Sequence, residues 1–274
     1  MGKDSSYFLT EAEWLTLHHQ ALSRERRQMV EDFPLQPGDR VLDVACGNGL
    51  WEPWLAERVA PGGQIIGVDL SPALLSLARE QNKECAEAVL HWIAADLQAL
   101  PFSSPWADVL FCANTFQYFP QPVEVLQKLS QIVRRGGRII IKDVDVAHIT
   151  FSPLPVDLVE RTVLAGIQAA QEQKVGHYHD PFVGRKLPQI FAQAGIRHLQ
   201  TRTYGVQKVA PFTPLETQFL QTIAKVVIDY AREYLTAQDR TAWQRYFDPH
   251  SPQYVLHQPG AYFYTVEVVT IGQV

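Results

Sequence analysis

The chain has 274 residues, enough for one large α/β domain or two small ones. Apolar residues make up 46% and charged residues 19%, the balance of a globular protein with ample material for a core. Lys and Arg total 24 against 29 Asp and Glu, a net charge of −5 that argues against a general electrostatic footprint for nucleic acid. No apolar run approaches the roughly 20 residues that cross a bilayer. The opening MGKDSSYFLTEAEW lacks the apolar core of a signal peptide. Cys46, Cys85 and Cys112 are odd in number and have no CxxC spacing, so neither a disulfide framework nor a zinc site is expected. No metal is expected, and a reducing, cytoplasmic compartment is the economical reading.

Residues 10 to about 30 read as one amphipathic helix, opened by a capping box of Thr10 with Glu13 and carrying Trp14, Leu17 and Ala21 on one face. Arg24-Glu25-Arg26-Arg27 read as a solvated face of that helix. From 38 to 145, β-rich runs alternate with helical ones. RVLDVAC (40–46) leads through a glycine turn into LWEPWLAERVA, and QIIGVDL (64–70) into SPALLSLAREQN, where Ser71 is placed to cap and Pro72 to open the helix. VLHWIAADL (89–97) is followed by a Pro-rich loop, and ADVLFCAN (107–114) by VEVLQKLSQIV. Arg134-Arg135-Gly136-Gly137 is placed to end that helix, and GRIIIKDVDV (137–146) closes the series. This rhythm predicts βαβ units and a parallel sheet covered on both faces.

The pattern then changes. A helix is expected at about 156–174, followed by GHYHDP, a short helix in LPQIFAQAG and a strand in HLQTRTYGVQKV (198–209). Helices at about 214–235 and 237–247 precede a last strand in AYFYTVEVVTI (261–271). We expect a single domain over 1–274. It would comprise an N-terminal lid helix (1–37), a ligand-binding core (38–146), covering additions with strand six (147–260) and the final strand (261–274).

The chemistry concentrates in Val41-Leu42-Asp43-Val44-Ala45-Cys46-Gly47-Asn48-Gly49, an apolar strand running through a glycine turn into a helix. Glycines there admit a ligand close to the backbone, and the helix start offers free amides. Asp43, Asp69 and Asp96 read as the ends of three successive strands, which places carboxylates at the ligand-binding edge of an open α/β sheet. A dinucleotide turn would be G-x-G-x-x-G, whereas the sixth position here is Glu52, whose charge would repel a pyrophosphate. No P-loop GKS or GKT is present. The ligand should carry a ribose, a cationic or zwitterionic part near Asp43, and no phosphate. S-adenosylmethionine meets these conditions.

LDVACGNG, GVDLS, AADLQALPF and RRGGRIIIKD together resemble the class I S-adenosylmethionine-dependent methyltransferases, in particular the small-molecule branch that contains the ubiquinone/menaquinone-biosynthesis enzymes. The likeness covers about 38–145. It implies a Rossmann-like, seven-stranded, mostly parallel sheet, the last strand antiparallel and inserted as the penultimate member. Helices on both faces and a helical lid over the carboxyl edge complete the expectation. It also implies that Asp43 and Gly47 border the methionine portion and Asp69 holds the ribose hydroxyls. Asp96 and Leu97 would flank the adenine, and Asn114 would touch the methionine end. Ala45 stands where the family often has its first glycine. With Cys46, Asn48, Gly49 and Leu70 it completes the expected cofactor shell, and Tyr7 is expected to fold over it. S-adenosylhomocysteine would be the product.

For the acceptor, the aromatics expected above the sheet suggest an apolar chamber. Its candidates are His18, Tyr118, Phe151, Tyr178 and Phe182. His148, expected in the loop after strand five, is the candidate base for a hydroxyl acceptor, since imidazole titrates near neutrality. We therefore expect O-methylation of a small, largely apolar metabolite, as in secondary metabolism, by a monomer or homodimer. The alternative is a non-methylating binder of the cofactor, cyclase-like or regulatory.

Overall fold

The computed structural model describes residues 11–102, 105–172 and 178–274. A seven-stranded sheet has the order β3-β2-β1-β4-β5-β7-β6. Its strands are β1 (Arg40–Val44), β2 (Gln64–Asp69), β3 (Val89–Ala94), β4 (Ala107–Ala113), β5 (Val133–Ser152), β6 (Arg197–Val209) and β7 (Tyr262–Gln273). Four ladders are parallel: β1 with β2, β1 with β4, β2 with β3 and β4 with β5. β7 runs the other way against β6, because Thr201 meets Thr270 while the Ala210 N–H donates to Ala261. The penultimate, antiparallel last strand is thus as the sequence led us to expect.

The helices are α1 (Ala12–Ala21), α2 (Ser23–Asp32), α3 (Glu52–Val59), α4 (Pro72–Gln81), α5 (Pro122–Ser130), α6 (Val156–Gln171), α7 (Val183–Gln193), α8 (Pro214–Ala231) and α9 (Ala237–Phe247). The chain divides into two compact units. The larger comprises Ser23–Asp143, Val183–Tyr204 and Val268–Val274; the smaller comprises residues through Leu22, Val144–Phe182 and Gly205–Glu267.

In the larger unit the strands sort their side chains by alternation. Leu42, Val44, Ile66, Val68, Leu110 and Ile141 bury on one face with Leu126 of α5 and Leu187 and Phe191 of α7. Val41, Ile65, Val109, Phe111 and Ile140 bury on the other, with Met29 of α2 and Leu55 of α3. Both faces are covered, which is why these strands read as near-continuous apolar runs. The smaller unit has its own core. Trp14 and Leu17 of α1, Val159 and Val163 of α6, Phe219 and Leu220 of α8 and Trp243 of α9 pack together, and the Trp243 indole N–H donates to the Ala224 carbonyl at 3.0 Å.

Several local expectations need correction. The single N-terminal helix is two, meeting at Leu22, and α1 is preceded by Glu11 as its N-cap; Thr10 lies outside the described residues. Arg26 is not solvated: it is buried with its guanidinium 5.3 Å over the Trp51 ring, a placement that desolvates the cation against a π face. Arg134-Arg135-Gly136-Gly137 does not end α5. Ala107 pairs with Val133 and Val109 with Arg138, so residues 134–137 bulge from the start of β5. Arg134 Nε pairs there with Asp108 at 2.5 Å. At its other end β5 continues to Ser152, so His148 stands exposed within a strand and not in a loop after it.

Candidate cofactor site

β1 sits between β2 and β4, at the point where the strand order reverses, and such a point is where open α/β sheets bind ligands. Asp43 pairs in register with Gly67 of β2 and Phe111 of β4, which puts it at the centre of this edge. After β1 the backbone turns through three positive φ values: Ala45 at 58°, Gly47 at 58° and Gly49 at 72°. The glycines adopt this region freely, whereas an alanine there costs about 1–2 kcal/mol. The family's usual glycine at this position thus has a conformational reason that Ala45 overrides.

The turn is tied on both sides. Asp69, at the end of β2, accepts the Gly47 N–H on Oδ2 at 2.9 Å and the Ser71 N–H on Oδ1 at 2.8 Å. Each carboxylate oxygen keeps a second lone pair for a ligand. Ser71 caps α4 by accepting the Leu74 N–H, and Pro72 opens that helix, as the sequence suggested. Behind the turn, Asn82 donates from Nδ2 to the Gly49 and Ala78 carbonyls, both at 2.9 Å. A Cβ on Gly49 would come within 2.7 Å of the Trp92 ring, and one on Gly67 equally close. These glycines make room for an indole packed under the turn.

Electrostatically the site is a buried acid pair. Asp43 is 1% exposed and Glu52, the first residue of α3, is 0% exposed. Asp43 Oδ2 has no hydrogen-bond partner, and none of ordinary geometry reaches either Glu52 oxygen. The Asp43 carboxyl and the Trp51 and Glu52 amides favour the ionised Glu52 carboxylate, against the larger effect of burial. Burial holds the Glu52 carboxyl up at about 8, and burial with the Glu52 charge pushes Asp43 well above the carboxylate range. Burial beside the same acids also pushes the Cys46 thiol up, which disfavours its thiolate.

The remaining candidates divide between the units. Leu70 follows Asp69 with 74% exposure, an apolar side chain held out at the edge. Asp96 lies two residues beyond β3, exposed, and accepts the Gln98 N–H at 2.8 Å; Leu97 packs half-buried on the core. Asn48 is buried in the turn, and Asn114 follows β4 at a φ of 56°. Tyr118 is half-buried in a short 3-10 turn, Phe116–Tyr118, that follows. All these belong to the larger unit.

In the smaller unit His18 stacks with Trp14 at 5.0 Å and with Phe219 at 5.8 Å. Phe151 is buried between Phe247 and Phe263, both at 5.0 Å. Tyr178 and Phe182 are half-buried. Tyr7 lies outside the described residues. Among the described residues no group of three His, Cys, Asp or Glu side chains could hold a metal, and no helix is long and apolar enough to cross a membrane. Sequence reasoning missed Lys142, buried in β5 with Nζ 2.5 Å from Asn114 Oδ1. A lone lysine inside the apolar run RIIIKD was the available signal.

The donor set fits S-adenosylmethionine. An orphaned buried carboxylate oxygen suits a cation, and a carboxylate beside a glycine turn suits a ribose. Residues 35–195 match the family described as "Methyltransferase domain". The chain is 36% identical over 130 residues to 2-phytyl-1,4-naphthoquinone methyltransferase of Synechococcus elongatus, covering 47% of this chain and 54% of that protein. It is 31% identical over 193 residues to demethylmenaquinone methyltransferase of Lactococcus lactis, covering 66% and 75%. The chain thus spans about half the length of the Synechococcus relative it matches. The fold is also that of phosphoethanolamine N-methyltransferase 2 of Haemonchus contortus, solved with S-adenosylhomocysteine. That likeness has a TM-score of 0.56 at 15% identity and covers 98% of this chain and 58% of the other. The chain belongs to the class I S-adenosylmethionine-dependent methyltransferases.

Proposed function

We propose that the protein transfers the methyl group of S-adenosylmethionine to a quinone-type small molecule. The observation that carries the cofactor half is the orphaned Asp43 Oδ2, buried beside a positive-φ turn whose amide is bound by Asp69. The acceptor half draws support from the two naphthoquinone- and menaquinone-directed relatives. The cofactor supplies a methyl group already activated on a sulfonium. The protein's own task is then alignment and exclusion of water.

In this reading Asp69 accepts the ribose hydroxyls on the lone pairs that Gly47 and Ser71 leave open. Asp43 and Gly47 border the methionyl end. Leu70, Asp96 and Leu97 flank the adenine. The cationic end gives the ionised Asp43 carboxylate an opposite charge that offsets the cost of its burial. The acceptor is taken as the reduced ring, the quinol. Its hydroxyl oxygens favour O-methylation, with the exposed His148 imidazole taking the proton. A quinol also offers a nucleophilic ring carbon, so the acceptor atom needs its own readout.

The test is incubation with methyl-labelled cofactor and a reduced 2-prenyl-1,4-naphthoquinone. The expected outcome is stoichiometric S-adenosylhomocysteine with label on the product, and carbon NMR separates a methoxy from a ring methyl resonance. Absence of label in any quinol would refute the acceptor class. A ring methyl would refute the preference for oxygen.

A further inference from the structure

The loop after β4 is gripped by two consecutive residues of β5. Lys142 donates from Nζ to Asn114 Oδ1 at 2.5 Å, and its carbonyl accepts the Asn114 N–H at 2.8 Å. Asp143 Oδ2 accepts the Gln117 N–H at 3.3 Å, and Gln117 Nε2 donates to the Asn114 carbonyl at 3.1 Å. The parallel register explains the arrangement: Lys142 is the partner of Ala113, one residue before Asn114. Asn114 is thereby held in a left-handed conformation by its amide, its carbonyl and its side chain together.

The chemistry of the grip decides which way the Asn114 side chain faces. An ammonium has three donors and no acceptor, so only the amide oxygen can meet it. The NH2 group must then point away from Lys142. Among the described residues no acceptor meets it, while Asn114 itself is half-buried and reachable. An amide free of such a partner could turn over and offer either end. Lys142 removes that freedom. It is wholly buried, so its charge is spent on protein partners and not on water.

We propose that Lys142 is a positioning residue that fixes Asn114 as an obligatory hydrogen-bond donor toward an oxygen of the bound ligands. This deepens the proposed function and rests on it. One ligand chemistry, an oxygen acceptor, has two sources: the carboxylate of the cofactor's methionyl end, or a carbonyl or hydroxyl oxygen of the quinone-type acceptor. Phosphorus-free, oxygen-rich ligands of both kinds satisfy a donor, whereas an amine donor would meet it head-on.

Asn114→Asp is the decisive variant. It preserves shape and gives Lys142 a stronger partner, but replaces the NH2 group by an oxygen. A purely structural role predicts unchanged ligand constants and an unchanged or raised Tm. The donor role predicts the same Tm with about a tenfold or larger loss of binding, the usual scale for a hydrogen bond to a charged group. Calorimetric Kd for S-adenosylhomocysteine, measured without acceptor, rises if the cofactor carboxylate is the partner. KM for the quinol rises at unchanged Kd if the acceptor oxygen is.

Lys142→Met, which frees the amide, should move the same constant in the same direction. Lys142→Arg should keep it within about threefold of the wild type, because the guanidinium is again donor-only. Asn114→Asp with wild-type Kd and KM overturns the inference alone. A wild-type protein that binds no S-adenosylhomocysteine overturns the cofactor reading and this inference with it.

Discussion

Ala45 adopts a backbone conformation that favours glycine, and it does so at the turn where the family usually keeps one. Replacing it by glycine relieves about 1–2 kcal/mol of left-handed strain and returns part of that as unfolded-chain entropy. Ala45→Gly should therefore raise stability by about 0.5–1 kcal/mol in urea unfolding; a destabilised variant would show that the alanine methyl packs usefully. His148 invites a different test. Exposed on β5, it is the proposed base, and His148→Ala should lower kcat by roughly 10²–10⁴ while leaving cofactor Kd intact. Turnover near the wild-type value would leave alignment alone to explain catalysis. At this scale the sequence was most legible where a residue type answers a backbone demand: Ser71, Pro72, Gly47 and Gly49 all stand as their types suggest. It was least legible where a tertiary neighbour sets the meaning. Nothing in RERR marks Arg26 as the one arginine that Trp51 would cover.

Single elements carry two further expectations. Gly67 lies in the middle of β2, where a Cβ would meet the Trp92 ring at 2.7 Å and Cys46 Sγ at 3.0 Å. Gly67→Ala forces that indole outward, with an expected loss of about 1–3 kcal/mol, the usual scale of overpacking. If thermal unfolding shows no loss, Trp92 does not support the turn. The β1–α3 junction makes a prediction in pH. The Glu52 carboxyl is held near 8 in the folded chain against an ordinary 4.5, chiefly by burial. Between those values the folded state binds more protons than the unfolded state, so stability falls as pH rises from about 4.5 to 8. Glu52→Gln should flatten that slope in the ligand-free protein, measured as urea midpoint against pH. A slope left unchanged would mean that Asp43 alone carries the proton. The sequence placed Glu52 at the start of α3 but read it as a charge facing a ligand, whereas burial holds its carboxyl up at about 8. Burial and the closeness to Asp43 were out of reach, because they arise where two residues nine positions apart, on different elements, meet under a turn. β5 shows the same limit. Its apolar centre was plain, but its bulged start and its run to Ser152 depend on ladder partners that no local pattern encodes.

At the scale of the whole molecule, alternating strands and helices made the sheet legible, and apolar runs covered on both faces made its parallel part so. The division into two units was not legible, since the smaller is assembled from three separate stretches of chain. That assembly bears on any test of the N-terminal lid. Deleting residues 1–18 would remove Trp14 and Leu17 from the smaller unit's core, at a cost of several kcal/mol, and so would confuse unfolding with loss of a lid. Deleting residues 1–10 spares both side chains. If Tyr7 closes over the cofactor, that shorter deletion should lower kcat at constant Tm, whereas normal turnover would dismiss the lid. The claim on which everything else depends is that the edge of β1 and β2 binds S-adenosylmethionine through Asp69. Titration calorimetry of the full-length chain tests it most directly. The wild type should bind the cofactor one to one, and Asp69→Ala should bind it more weakly by about 1.5–3 kcal/mol, the range for hydrogen bonds to a charged group. Equal affinity in the two proteins, or no binding by the wild type, would contradict it.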